Sequence, residues 1–409
     1  MADEFPWLEI ASKAASQWAT PLYVAAWEPV SLAMEELRPL QSLAVPIRHW
    51  LSVKTQPVWP LLETWRHKLP YGAEVISRFE LYGALAAGFT PKDIVINGLA
   101  KHTWLPASLA GFNVHFDSLS EIDSLTASTD MAGARLGARC LVPAGLEPHD
   151  PTIGGQFGMD GAELRHAVRR LRRLDLGLEG LHFHLRSNIR DAEIYRDALE
   201  RVMAMAAHAD MRPVYVDCGG GLPVPGEGTL EGGEYISRNL SISTLVAALS
   251  DFLVKYPSIK ELWFENGRFL TARSAALVLR VTDVKERGGC RYLICDGGRT
   301  NNALPADWEW HRLETIPART GPSVTSAICG PTCTSYDRLA LRPMADDIVP
   351  GDHLVWLNAG AYHLSWETRF SHGWANVVWC DPDRTLRLAR PAETPPDWWR
   401  AWTGAQRGE

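Results

Sequence analysis

The sequence predicts an α/β protein. A (β/α)8 barrel of the TIM type is expected over residues 46–278, with a second, mainly β domain built from residues 1–45 and 279–409. Three observations predict this. Eight short apolar runs recur through the first two-thirds of the chain, bounded by Gly, Pro, Asn or Asp. Most are followed by the apolar spacing of one buried helix face. The residues that carry chemistry fall at the ends of the runs, where barrel enzymes build their sites.

The elements follow in order. Leu22-Tyr23-Val24-Ala25 is an early strand-like run expected to join the second domain. The barrel runs are Ile47 to Thr55, Ala73 to Ser77, Asp93 to Asn97, Phe112 to Phe116, Leu136 to Val142, Gly180 to Leu185, Val214 to Cys218 and Leu262 to Glu265. Helix faces show at Leu61-Leu62-Trp65, Leu81-Leu85-Ala86, Leu164-Val168-Leu171 and Ala198-Val202-Ala206. Pro60 restricts its helix to a start at or just before it, because proline lacks the N–H of an interior turn. The tail carries strand-like runs at 276–279, 292–295, 354–357 and 376–379, with a turn at Val349-Pro350-Gly351-Asp352.

Composition narrows the function. A net charge of -7 argues against a general nucleic-acid surface. Arg165, Arg169, Arg170, Arg172 and Arg173 read as a solvated helix face. No apolar stretch approaches the ~20 residues of a membrane span. The start, Met1-Ala2-Asp3-Glu4, has neither a basic n-region nor an apolar h-region, so no leader is expected. The seven cysteines include no Cys-x-x-Cys pair and suggest no disulfide framework, which predicts a reducing cytoplasm. The seventeen tryptophans are expected in the core or a dimer contact, with some shaping a substrate pocket.

Lys54 ends the first run and His184 lies near the end of the sixth. Gly219-Gly220-Gly221 follows the seventh, and Glu265-Asn266-Gly267-Arg268 closes the eighth. These are the parts needed to hold pyridoxal phosphate. A lysine can form an imine, glycines can admit a phosphate to the backbone, and a glutamate can hold a proton on a pyridine nitrogen. Each residue alone has a plainer reading. Lys54 could snorkel to solvent, Arg268 could be a structural ion pair, and the glycines a tight turn. His182 competes with His184, because residues two apart on a strand share a face. Desolvation beside positive charge is expected to lower the Lys54 pKa. Cys329 and Cys333 are too weak a pattern for a metal, and no metal site is expected.

In this order and spacing, the motifs resemble those of the fold-type III pyridoxal-phosphate decarboxylases, such as ornithine and diaminopimelate decarboxylases on an alanine racemase-like barrel. The resemblance runs from Thr20-Pro21-Leu22-Tyr23-Val24 through Glu80 to Gly88. It ends with Gly330-Pro331-Thr332-Cys333 and Asn358-Ala359-Gly360-Ala361-Tyr362. It implies an amino-acid decarboxylase acting through a Schiff base on Lys54. His184 would stack on the ring and Glu265 would face its nitrogen. Ser187, Gly220, Gly221, Gly267, Arg268 and Tyr362 would hold the phosphate. Cys333 would reach the site of the other subunit in a homodimer with shared sites, and Cys333 or the freed Lys54 would return a proton to the α-carbon.

The departures bear on substrate. The usual EPGR reads ENGR at Glu265 to Arg268, and the usual His-Ile-Gly-Ser reads His184-Leu185-Arg186-Ser187. Glu74 stands where an aspartate usually lies. The acid that follows the family cysteine is Thr334, which argues against ornithine, lysine and diaminopimelate. Asp337 is the residue able to restore that acid. Arg186 and Arg299 are candidates for holding a substrate carboxylate, with structural roles equally open. Trp308, Trp310 and Trp366 point to a larger or less polar side chain. Two other functions remain. One is a racemase or epimerase using Lys54 and Cys333 on opposite faces; the other is a non-catalytic cofactor carrier.

Overall fold

The computed structural model describes residues 5–142, 155–225, 227–231, 234–237 and 239–403. Eight parallel strands close into a barrel. They are β1 (Ile47–Ser52), β2 (Gly72–Val75), β3 (Ile94–Ile96), β4 (Asn113–Phe116), β5 (Arg135–Arg139), β6 (Gly180–His182), β7 (Tyr215–Asp217) and β8 (Glu261–Phe264). Closure is made by β8 on β1, with Leu262 opposite Ile47 and Phe264 opposite His49. Each strand coincides with one of the eight apolar runs.

Helices α1 (Trp59–Lys68), α2 (Arg78–Ala86), α3 (Leu119–Ser128), α4 (Gly161–Arg172), α5 (Ala192–His208) and α6 (Ile242–Lys255) surround the barrel. Pro60 sits in the first turn of α1. Asp160 and Glu163 form a reciprocal cap at the start of α4, satisfying N–H groups that the helix cannot. The arginine-rich face of α4 is solvated, with Arg170 paired to Asp123 and Arg172 to Asp210. Between β3 and β4 the chain makes only a short 3-10 turn, Lys101–Thr103, in place of a helix. Lys101 is buried there and pairs with Glu121 at 2.8 Å, so an ion pair substitutes for an apolar helix face. Trp50, Val95, Tyr215 and Trp263 form a separate cluster in the barrel, with the Tyr215 and Trp263 rings stacked at 3.9 Å.

The second domain is a nine-stranded sheet. Leu22–Ala26 lies in it, parallel to Asn376–Cys380 and antiparallel to Ala275–Arg287. The four tail runs are all strands, joined by Leu313–Ile316, Ser323–Cys329, Arg338–Ala345 and Leu386–Arg390. The helix Trp7–Gln17 covers one face, burying Trp7, Ile10 and Ala14 against Leu22, Val278 and Val378. A three-stranded sheet, Gly228–Glu231, Glu234–Ser237 and Glu309–Trp310, ties a loop of the barrel to this domain. Among the described residues, no helix is long and apolar enough to cross a membrane. The seven cysteines are free thiols.

Candidate active site

A cavity of about 250 Å³ opens beyond the C-terminal ends of the strands. Lys54 enters it from a 3-10 turn, Val53–Thr55, directly after β1. That turn is tied to the second domain, since Thr55 O accepts from Tyr362 N at 2.8 Å and Lys54 O accepts from Ser365 Oγ. The Lys54 ammonium pairs with Glu74 of β2. Burial alone would lower its pKa, but the Glu74 carboxylate beside it outweighs burial and raises it. The expectation of a lowered lysine pKa is therefore corrected: the Glu74 carboxylate holds Lys54 charged.

Glu265 follows β8 and is buried. It accepts from Asn97 Nδ2, and Asn97 Oδ1 meets His115 Nδ1 at 2.8 Å. His115 Nε2 in turn meets the Tyr215 hydroxyl at 3.1 Å. Burial, then the charges of Asp217 and Glu74, push the Glu265 pKa well up. Burial also raises Asp217 to about 7, although Gly219 N–H donates to it at 2.9 Å. Close carboxyl groups in a dry site cannot all ionise, so the Glu265 and Asp217 pair retains a proton.

The two candidate histidines separate clearly. His182 is buried, stacked on His115 at 4.9 Å, with Nε2 3.6 Å from Glu265. His184 is exposed to the cavity, and its Nδ1 accepts from Gly220 N–H at 3.2 Å. Surrounding protein, then Arg139 and Lys54, lower its pKa to about 4. It is a neutral flat ring at pH 7.

Ser187, Gly220, Gly221, Arg268 and Tyr362 line the same cavity. Gly221 has φ +112°, and a Cβ there would fall 2.5 Å from Arg186 O. A Cβ on Gly267 would meet Thr55 Cγ2 at 2.4 Å. Both turns therefore require glycine. The Arg268 guanidinium lies over the Tyr362 ring at 4.8 Å and pairs with Glu309. Asn266 adopts φ -77° and ψ 44°, close to the φ of the proline it replaces, so the turn survives.

Arg139, at the end of β5, and Phe157 complete the wall, with the guanidinium 4.4 Å from the ring. Asn97, Arg139 and His115 were not singled out in the sequence. Asn97 ends a barrel run, so the strand-end rule applied to Lys54 and Glu265 would have found it. Arg139 lies inside the run Leu136 to Val142, and the strand ends at it only in the structure. His115 sits inside a run and carries no such signal.

The remaining candidates lie elsewhere in this chain. Arg186 is outside the cavity lining, with its carbonyl packed behind Gly221. Arg299 donates to Ala303 O and Arg338 O and pairs with Asp307. Cys333 is exposed on a turn of the second domain. Thr334 accepts from Tyr336 N–H, and Asp337 is buried, accepting from Arg299 N and Thr332. Trp308 and Trp366 line a larger outer cavity of about 520 Å³, whereas Trp310 packs against Tyr235 and Arg342.

Comparison with known proteins gives the family. Residues 34–272 match the family model "pyridoxal-dependent decarboxylase, pyridoxal binding domain". The chain belongs to the pyridoxal-dependent decarboxylases. The diaminopimelate decarboxylase of Aquifex aeolicus is 26% identical over 320 residues, covering 74% of each chain. That of Deinococcus radiodurans is 28% identical over 397 residues, covering 95% of this chain and 97% of its own. Two solved structures share the fold. Diaminopimelate decarboxylase from Helicobacter pylori, complexed with L-lysine, aligns with a TM-score of 0.82 at 20% identity, covering 96% of this chain and 99% of its own. Arginine decarboxylase of Paramecium bursaria Chlorella virus, bound to agmatine, aligns with a TM-score of 0.75 at 19% identity, covering 91% and 99%.

As a member of these decarboxylases the chain is a pyridoxal-phosphate-dependent carboxy-lyase. Its residues fit the cofactor. Lys54 offers the amine, His184 a neutral ring and Glu265 an acid, and the glycine turns leave a cradle that a Cβ would fill.

Proposed function

We propose that this enzyme decarboxylates an amino acid whose side chain carries no second amine. The convergence of Lys54, Glu74, His184, Asp217 and Glu265 at one barrel mouth supports the activity. Lys54 Nζ would hold the cofactor aldehyde, and the neutral His184 ring would lie against the pyridine. Ser187, Gly220, Gly221, Gly267, Arg268 and Tyr362 would bind the phosphate. When bound, the group accepts the electron pair left at the α-carbon as carbon dioxide departs.

The protein's own residues supply proton control. Glu265, kept protonated by burial and by Asp217, holds a proton at the pyridine nitrogen, and Asn97 fixes its carboxyl. Glu74 positions the Lys54 amine to move a proton at the α-carbon. The enzyme works as a cytoplasmic homodimer, with Cys333 of the partner subunit completing each site. Cys333's exposure on a turn outside its own chain's cavity supports this arrangement.

The outer cavity supports the substrate choice. Beyond Ser187, Arg268 and Tyr362, its described lining is Asn188, Thr229, Trp308 and Trp366, with no carboxylate to meet a distal ammonium. The relatives named as diaminopimelate decarboxylases favour a second reading, a diamino substrate. A panel of D and L amino acids, assayed for carbon dioxide and product mass, tests both. Release of carbon dioxide with the matching amine supports decarboxylation. Inversion at the α-carbon without carbon dioxide overturns it.

A further inference from the structure

Behind the cofactor cavity, Glu309, His311 and His363 bring three ligand atoms within 4.8 Å of one another. All three residues are buried, at 8%, 3% and 0% exposure. Glu309 lies on the strand Glu309–Trp310, His311 follows it, and His363 comes directly after Tyr362.

The tautomers are fixed by the backbone. His311 Nδ1 meets Leu357 O at 3.0 Å, and His363 Nδ1 meets Ala361 O at 3.0 Å. A carbonyl only accepts, so each Nδ1 carries a proton, and Nε2 is the ring atom left to face the cluster. Neither Nε2 has a hydrogen-bond partner among the described residues. Yet His311 Nε2 lies 3.2 Å from Glu309 Oε2. An unprotonated Nε2 facing a carboxylate in a dry interior is repelled unless a proton or a metal ion joins them, and this contact lacks hydrogen-bond geometry. The other carboxylate oxygen, Oε1, is engaged by Arg268 and by Trp308 Nε1 at 3.3 Å. Oriented imidazoles and an outer donor that fixes the carboxylate are the usual surroundings of a metal ligand set.

The geometry points to a divalent-metal site formed by His311 Nε2, His363 Nε2 and Glu309 Oε2, suited to an ion of the zinc class. Two imidazoles and one carboxylate suit zinc, with a fourth position left open. The ion clamps the strand at Glu309 to the turn after Tyr362 and, through Glu309, steadies Arg268. No metal was expected from the sequence, because His363 is far from the other two ligands along the chain.

Counting metal needs no turnover, so this test stands apart from the substrate reading. Cofactor-loaded full-length protein, stripped with a chelator, is titrated with Zn²⁺ and with Co²⁺. The expected result is one ion per chain, visible Co²⁺ bands without sulfur-to-metal charge transfer, and a Tm that rises with Zn²⁺. His311→Ala and His363→Ala should each abolish these signals. Wild-type protein that binds no Co²⁺, or binds it with a thiolate signature, overturns the site. So does undiminished binding in both variants. Should a variant not fold, the wild-type stoichiometry and sulfur-free spectrum decide.

Discussion

Asn97 donates its side-chain amide to Glu265 across the barrel mouth, joining the end of β3 to the end of β8. Behind Asn97 stand His115 and then Tyr215, so the acid is held by a chain of buried polar groups. Glu265→Gln should keep the cofactor yet lower kcat on the order of 10² to 10³, the scale for one preorganised electrostatic group. Asn97→Ala should cost less, about 10-fold, by letting the carboxyl drift. Because Asn97 acts through Glu265, the double variant should be no slower than Glu265→Gln. Multiplicative losses would show that the two act independently.

The cofactor should be attached to Lys54. Its Nζ lies against Glu74 in the cavity, and the glycine turns lie in the same mouth. Purified protein should absorb near ~420 nm, as protonated pyridoxal-phosphate attachments do. After borohydride reduction, peptide mapping should find the label on Lys54. A label on another lysine, or no bound cofactor, sinks the assignment.

The carboxyl pair predicts a pH effect on stability. Folding raises Asp217 to about 7, from ~3.9 in the unfolded chain. The folded state therefore holds the proton more tightly. Its stabilising contribution is full below about 4 and is lost as pH rises to about 7. Asp217→Asn removes this contribution, so cofactor-free variant protein should show a flatter Tm against pH over that window. Parallel curves for variant and wild type would mean that Asp217 ionises normally.

The fold was legible because period and punctuation agree. Each barrel strand falls on an apolar run, and Pro60 fits only the helix start it occupies. No helix face shows in the sequence between β3 and β4 and none forms there, but the buried Lys101–Glu121 pair was not legible, since its partners come from separate segments. Lys54, Glu265, His184 and the glycines were legible as strand-end chemistry. The Lys54 pKa was misjudged because Glu74 reaches it through space from a neighbouring strand. His115 was hidden for the same reason: its partners, Asn97 and Tyr215, come from β3's end and β7.

Shared sites predict complementation. Lys54 lies in the barrel and Cys333 on an exposed turn of the second domain. Lys54→Ala and Cys333→Ala chains should each be inactive alone and regain activity when mixed. A reassorted heterodimer carries one site with both residues intact. Full activity in a monomer at assay concentration would refute sharing.

Asp337 decides whether the missing acid has been replaced. Its carboxylate accepts from Arg299 N at 2.7 Å, Thr332 N at 2.9 Å and Thr332 Oγ1 at 2.6 Å. A buried carboxylate with three donors is committed to its turn, not to a substrate ammonium. Asp337→Asn should therefore lower stability by roughly 1.5–3 kcal/mol per charged hydrogen bond weakened. It should leave the ratio of kcat/KM between neutral and diamino acids unchanged. Wild-type enzyme should favour neutral or acidic side chains over lysine, ornithine and meso-diaminopimelate, because Thr334 offers only a hydroxyl. A diamino preference in the wild type would reverse the substrate proposal. If Asp337→Asn then erased that preference, Asp337 would be the acid that recognises the second amine.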